Sequence, residues 1–459
     1  MAGGSKFTSH QSWSSRLTFL LATIGFSVGL GNIWRFPYLT GESGGGAFVL
    51  IYLLCIILIG VPIVMAELAI GRRGGMTPMA TMTRLARAER KTGAWGIAGA
   101  LAILTGFLII SFYCVIGGWT LHYVYLAASG ALSGISPEDS QSLFNSLQSN
   151  PALLIFWQAV FLALNVVIVS RGLKGGIERA VTIMMPMLFF LLIGLAAYGL
   201  VFGDGAKALA FLFKPDFSVV TGKTVIDAMG QAFFSVGVGM AAMMTYGAYL
   251  PKSVNIPSTA AIISFADTGV ALIAGLAIFP FVFAFGLSPS EGPGLVFVAL
   301  PAALSGFAGG YASLAFFILL TVAALTSAIA LFEVLVSWGE ELGWQRFRTA
   351  IISAVVCFVV GLGTVFSLNM ASGYFPVSFL PGYETATVFG AVDKFTSTIG
   401  LPLGGLFAAL FAGWVLKKQS AAEELGFDSN DVLFKLWRLA MRYFLPVVIA
   451  VLVFAGVRG

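Results

Sequence analysis

Two short stretches of the chain share an unusual pattern. Residues 26–32 read FSVGLGN and residues 234–240 read FSVGVGM, five of the seven positions being identical. Each stretch sets two glycines inside a strongly apolar run. Glycine loosens a helix, and a helix opened in an apolar medium leaves carbonyl and N–H groups without partners, which is costly unless something occupies them. Freed carbonyls favour a cation, and the positive end of a half-helix favours a carboxylate. The chemistry on offer is therefore the binding of a cation beside a small anionic group. Asp267 and Arg35 also fall in apolar runs, where an ionisable side chain marks a functional position. Other chemistries lack their residues. His10 and His122, with Cys55, Cys114 and Cys357, give no metal-site spacing, and the cysteines read as small buried hydrophobes. No paired acids or His/Ser constellation supports an enzyme, and no repeated carbonyl or charge ring supports a channel.

The elements that must position these groups follow from composition. The chain is 58% hydrophobic and 10% charged, against about a quarter charged in soluble domains. An integral membrane protein is expected. The apolar runs are too long for barrel strands and fit helices of about 20 residues. The first run, from Leu17, continues into the chain, unlike a cleaved signal peptide. Eleven spans are predicted, at 16–39, 45–71, 94–128, 151–170, 177–202, 223–249, 256–287, 309–338, 347–368, 387–416 and 431–456. With the N-terminus inside, inner segments hold nineteen of the 25 basic residues and outer segments five. The positive-inside rule thus puts residues 1–15 in the cytoplasm and, with an odd number of spans, the C-terminus outside the plasma (inner) membrane. The basic residues serve topology, so the net charge of +5 calls for no nucleic-acid partner. The two echoing stretches lie in spans 1 and 6, an odd number of spans apart, so the second copy is turned over. Residues 16–202 and 223–416 read as an inverted repeat of five helices each, with 431–456 appended as helix 11. Glycine-interrupted helices at matching points of such repeats point to a transporter's binding site.

The segments GLGNIWRFPY (29–38) and GGGAF (44–48) resemble the signature of the neurotransmitter:sodium symporter family. GQAFFS (230–235), LTSAIAL (325–331) and STIGLPLG (397–404) extend the likeness along the chain, and eleven spans match the family's shorter bacterial branch. The resemblance implies an all-α leucine-transporter-like fold with unwound helices 1 and 6. It implies Na⁺-driven uptake of a small zwitterion from outside the bilayer by alternating access, and two Na⁺ ions. The first sodium site would use Ser27, Asn32, Ser235, Asp267 and the substrate carboxylate. The second would use Gly25, Val28, Ala323, Thr326 and Ser327. The chloride pocket of other members would correspond to Tyr52, Gln231, Ser235 and Ala271. Chloride-dependent members carry serine where Ala271 stands, and many members carry asparagine where Asp267 stands, so by the resemblance Asp267 would supply a fixed charge and chloride-independent transport is expected.

By the same resemblance the substrate carboxylate would meet the Leu30 and Gly31 amides and the Tyr113 hydroxyl. Gly29, where amine carriers place an aspartate, has no acid. Ser27, Ile109, Phe234, Ser235, Gly237, Met240, Ser327 and Leu331 would line the pocket, with Gly237 making space. A neutral α-amino acid is expected; glycines at 29 and 237 also resemble carriers of GABA or taurine, and a channel or a non-transporting sensor is the rival class. Arg35 and Asp393 would form the outer gate above Phe234 and Tyr113. Trp13 and Arg16 match the inner anchor, with His10 or Lys6 and Glu340 or Glu341 as the candidate inner gate. Gly176 and Pro186 are spaced as in this branch to let span 5 unwind. Glu67 is expected to be structural, and Glu333 to bond between helices.

Overall fold

The computed structural model describes residues 12–287, 294–305, 310–380 and 382–458, and every regular element among them is a helix. Helix α1 (Arg16–Ser27) starts at a capping box, in which Ser15 Oγ accepts from the Thr18 amide at 3.1 Å. It stops because Val28 is extended, at φ −75° and ψ 92°. The chain resumes as α2 (Gly31–Glu42), bent by 50° from α1. Then follow α3 (Gly46–Gly74), α4 (Gly93–Ala128), α5 (Pro151–Val169) and α6 (Leu173–Phe202). Helix α7 (Gly222–Ser235) opens on a second capping box, Thr221 with Thr224. After an irregular stretch comes α8 (Ala242–Ala248). Helices α9 (Ile256–Ala284), α10 (Tyr311–Glu341), α11 (Arg346–Ser367), α12 (Val388–Val415) and α13 (Val432–Gly456) complete the bundle.

By length and hydropathy nine helices among the described residues can cross a bilayer, and the bent pair α1–α2 is a tenth. The predicted span at 223–249 is the difference. It is split into α7 and α8 by Gly237 (φ +69°), Gly239 (φ +85°) and Ala241 (φ +68°), a run of left-handed backbone that no helix carries. The expected unwinding of helix 6 is seen here as two short helices, neither long enough by itself to be counted as a span. The remaining boundaries agree within a few residues, although α6 begins earlier than predicted, at Leu173, with a π-helical turn over Leu173–Glu178, and Pro186 lies inside the regular helix that follows.

The packing separates a buried centre from an outer surface that carries large apolar side chains. Helix α10 runs along α4 and is the most deeply enclosed span. Large apolar side chains such as Phe190, Val201, Val359 and Phe454 point outward, as a hydrocarbon surround allows. The breaks in α1–α2 and α7–α8 face one another at the centre.

Candidate functional site

The two glycine pairs do different jobs. In the second copy, Gly237 and Gly239 supply left-handed backbone. In the first, Gly29 and Gly31 admit neighbours. A Cβ at Gly29 would lie 2.5 Å from Ser327 Oγ and 3.0 Å from Tyr113 Oη, and one at Gly31 would lie 2.8 Å from Phe234 Cδ1. The space beside Gly237 is itself taken, since a Cβ there would meet the Phe26 ring, 2.7 Å from Cζ. Gly237 therefore serves the backbone turn rather than making room for a ligand.

The backbone groups freed by the breaks are satisfied by buried side chains. Ser327 Oγ donates to the Phe26 carbonyl at 2.9 Å, Ser27 Oγ to the Val236 carbonyl at 3.3 Å, and Gln231 Nε2 to the Gly31 carbonyl at 2.9 Å. The Gly29 amide donates to Asn32 Oδ1 at 3.3 Å, the Leu30 amide to Tyr113 Oη at 3.4 Å, and the Gly239 amide to Glu67 Oε1 at 2.7 Å. These contacts offset the cost of unwinding in a medium without water. Glu67 is thus a structural brace from α3 to the α7–α8 break.

Beside the break lies a polar cluster built from four helices. Asn32 Nδ2 donates to Asp267 Oδ1 at 2.8 Å and to the Asp267 carbonyl at 3.0 Å. Ser235 Oγ donates to Asp267 Oδ2 at 2.5 Å, and Tyr52 Oη donates to Ser235 Oγ at 3.0 Å. Asn32, Tyr52, Gln231 and Asp267 are all fully buried. A buried carboxylate is tolerated where donors converge on it, and the same oxygens can surround a hard cation. Ala271, one turn beyond Asp267, brings no polar atom.

On the other side of α1, Thr326 and Ser327 of α10 face the last turn. A Cβ at Gly25 would lie 3.3 Å from Thr326 Cβ, and Ser327 Oγ reaches the Gly25 carbonyl at 3.5 Å. Thr326 Oγ1 donates within its own helix, to Val322 and Ala323 carbonyls at 3.1 and 3.0 Å. A hydroxyl that donates there keeps its lone pairs for a cation.

A cavity of about 250 Å³ opens above these groups. Of the expected residues it is lined by Leu30, Gly31, Arg35, Tyr113, Phe234 and Asp393. The Arg35 guanidinium lies over the Phe234 ring, 4.8 Å from its centroid. Arg35 and Asp393 share the wall but form no ion pair among the described residues. Trp34, Tyr38, Phe112, Ile116, Phe389 and Ser397 complete the lining and escaped the sequence reading. Helical spacing could have found four of them: Ile116 is three residues from Tyr113, Tyr38 three from Arg35, and Phe389 and Ser397 are each four from Asp393. Ile109, Met240 and Leu331 do not reach this cavity. All three are buried, and a Cβ at Gly106 would lie 2.9 Å from the Met240 carbonyl and 3.5 Å from Leu331 Cδ2.

At the opposite end the start of the described chain packs onto the bundle. Trp13 is buried and its Nε1 donates to the Tyr246 carbonyl at 3.1 Å, while Ser14 Oγ donates to Glu178 Oε2 at 2.5 Å. The acids named for the inner gate have partners among the described residues. Arg16 bonds Ser258, at 3.1 Å, and Glu341 accepts from the Thr77 amide, at 3.0 Å. Glu340 pairs with Arg346 at 2.8 Å. Glu333 does more than bond between helices: it forms an ion pair with Arg346 and accepts from Tyr249 Oη at 2.9 Å. Arg346 opens the next helix and folds back onto both Glu333 and Glu340. His10 and Lys6 lie outside the described residues.

Comparison with known proteins agrees with this architecture. The profile of the Sodium:neurotransmitter symporter family matches residues 10–146 and 138–458. The uncharacterized sodium-dependent transporter YhdH of Bacillus subtilis is 37% identical over 453 residues, covering 97% of each chain. An uncharacterized sodium-dependent transporter of Haemophilus influenzae is 34% identical, covering 96% of this chain and 97% of its own. The crystal structure of MhsT in complex with L-phenylalanine superposes with a TM-score of 0.88 at 42% identity, covering 98% of this chain and all of that one. With broken helices meeting at a buried oxygen cluster and the family matched along nearly its whole length, the chain belongs to the sodium:neurotransmitter symporter family and is a Na⁺-coupled membrane transporter.

Proposed function

We propose that the chain imports a neutral α-amino acid together with two Na⁺ ions, without chloride, by alternating access. The observation that carries this reading is the convergence of Leu30 amide and Tyr113 hydroxyl at 3.4 Å on the cavity wall, with the Asp267 cluster behind. A substrate carboxylate there meets an N–H, an O–H and a sodium ion, while its amine faces carbonyls of the breaks. No acid stands at Gly29 to recruit an amine, so the substrate brings its own carboxylate. MhsT, at 42% identity, was solved with L-phenylalanine, which supports an apolar side chain for the substrate.

In this reading Na⁺ at the first site is held by Ser27, Asn32, Ser235 and Asp267, whose mutual hydrogen bonds exchange for ion contacts. The second ion takes the Gly25, Val28 and Ala323 carbonyls with Thr326 and Ser327. Asp267 provides the negative charge that a chloride supplies elsewhere; Tyr52 and Gln231 then brace Ser235 and the Gly31 carbonyl, and Ala271 leaves an anion no donor. Arg35, Phe234 and Asp393 close the cavity from outside. Trp13 and the Glu333–Arg346 pair hold the inner side. Residues 16–202 and 223–416 are the two inverted units, 431–456 is an added helix, and residues 1–15 face the cytoplasm of the plasma membrane.

The ω-amino-acid reading rested on glycines at 29 and 237. Both spaces are filled by side chains of the protein, by Ser327 and Tyr113 in one case and Phe26 in the other, so the geometry favours the α-amino acid. A thermal-shift screen of α- and ω-amino acids in Na⁺ against K⁺ tests the choice, and a Na⁺-dependent shift confined to GABA or taurine reverses it. Counterflow of labelled against unlabelled substrate in proteoliposomes separates a carrier from a channel or a sensor.

A further inference from the structure

A second cavity, of about 430 Å³, lies away from the broken helices, between α4, α10 and α11. Leu104, Phe107, Leu335, Trp338, Ile352 and Val356 are among the residues of its wall. It opens on the outer face of the bundle, where Leu104 and Val356 are exposed and Trp338 and Trp344 are 38% and 48% exposed. Its volume is that of a ligand site, and its mouth is rimmed by exposed apolar side chains. The tryptophans sit where α10 turns into α11, as indoles do at a membrane interface.

The charge at this end is specific. Arg346 is taken by Glu333 and Glu340. Arg348 is exposed and forms no ion pair among the described residues. It stands one helical turn before Ile352, which lines the groove. Its Cβ tilts toward the helix N-terminus, so its long side chain extends to the headgroup level. From Arg348 to Val356 the helix rises about 12 Å, within one leaflet of a ~30 Å hydrocarbon core.

We propose that this groove is a binding site for one anionic glycerophospholipid of the cytoplasmic leaflet, with an acyl chain between α4, α10 and α11 and its phosphate on Arg348. The apolar wall selects a chain, Arg348 selects a negative headgroup, and Trp338 and Trp344 fix the depth. Naming the leaflet rests on the proposed orientation; occupancy of the groove does not, and the test separates them by working in micelles.

The full chain, purified in detergent, is irradiated with phosphatidylglycerol carrying a diazirine in one acyl chain, and labelled peptides are mapped. Labelling is expected on the peptides of Leu104, Trp338 and Ile352. Unlabelled phosphatidylglycerol should compete about fivefold better than phosphatidylcholine of the same chains, the advantage one arginine gives near a lipid surface. Arg348→Gln should abolish that preference and keep the label, and Ser353→Trp should fill the groove and remove the label. Label elsewhere on the chain, equal competition by the two lipids, or full labelling of a monodisperse Ser353→Trp protein overturns the proposal. So does protection of these peptides by a concentration-dependent dimer. If Ser353→Trp does not fold, the wild-type mapping and competition decide alone.

Discussion

Replacing Asp267 by asparagine removes one charge and little else. The side chain keeps its shape, an oxygen for the ion and a bonding partner for Ser235, which lies 2.5 Å from Oδ2. Asn32 Nδ2 is 2.8 Å from Oδ1, so an ion held jointly by Asn32, Ser235 and Asp267 sits within ~4 Å of the carboxylate charge. Two unit charges at that distance and an effective dielectric of 20 attract by about 4 kcal/mol, which is about three decades of affinity. Part of this is returned, because the neutral amide costs less to keep dry. Na⁺ affinity should therefore fall by between about tenfold and about a thousandfold. Sodium titration of substrate binding, with K⁺ holding ionic strength, reads the shift. The same argument makes wild-type uptake indifferent to replacing chloride with gluconate, and gives Asp267→Asn with Ala271→Ser a chloride requirement. Unchanged sodium affinity in Asp267→Asn, or loss of wild-type uptake in gluconate, refutes the assignment of the charge.

Three further outcomes are expected. Gly29→Ala presses a methyl group against Ser327 Oγ and Tyr113 Oη, and overpacking of about 1–3 kcal/mol should weaken substrate binding roughly tenfold or more; unaltered affinity by radioligand binding counts against the site. Glu67→Ala leaves the buried Gly239 amide unpaired, at about 1–3 kcal/mol, so the detergent-solubilised protein should melt earlier while Glu67→Gln recovers most of the loss. Equal melting of Glu67→Ala and wild type would sink the brace. Arg346→Ala strands Glu333, whose side chain is 0% exposed, and should cost about 3–5 kcal/mol. Adding Glu333→Gln should restore part of that, and a double variant no more stable than the single would refute the pairing.

The sequence was legible where the rule is one of length and polarity. The span predicted at 151–170 is Pro151–Val169, and that at 387–416 is Val388–Val415, because hydrocarbon thickness fixes how many apolar residues a helix must have. Asp267 was legible too, since a lone carboxylate in such a run needs partners, and Asn32 and Ser235 supply them. What the sequence could not say is which distant groups would meet. Glu333 finds Arg346 and Tyr249, and the cavity recruits Phe112, Ile116 and Phe389.

The repeated glycines mark the division most clearly. By itself the sequence determined that two helices would open at matching points and that oxygen and charge would gather there, because composition and local propensity fix where a helix fails. Only the tertiary structure decided what each glycine is for. Gly237 and Gly239 carry left-handed backbone, while Gly29 and Gly31 make room for Ser327, Tyr113 and Phe234. Two nearly identical local patterns take different roles because the rest of the fold sets each glycine's backbone conformation and its neighbours.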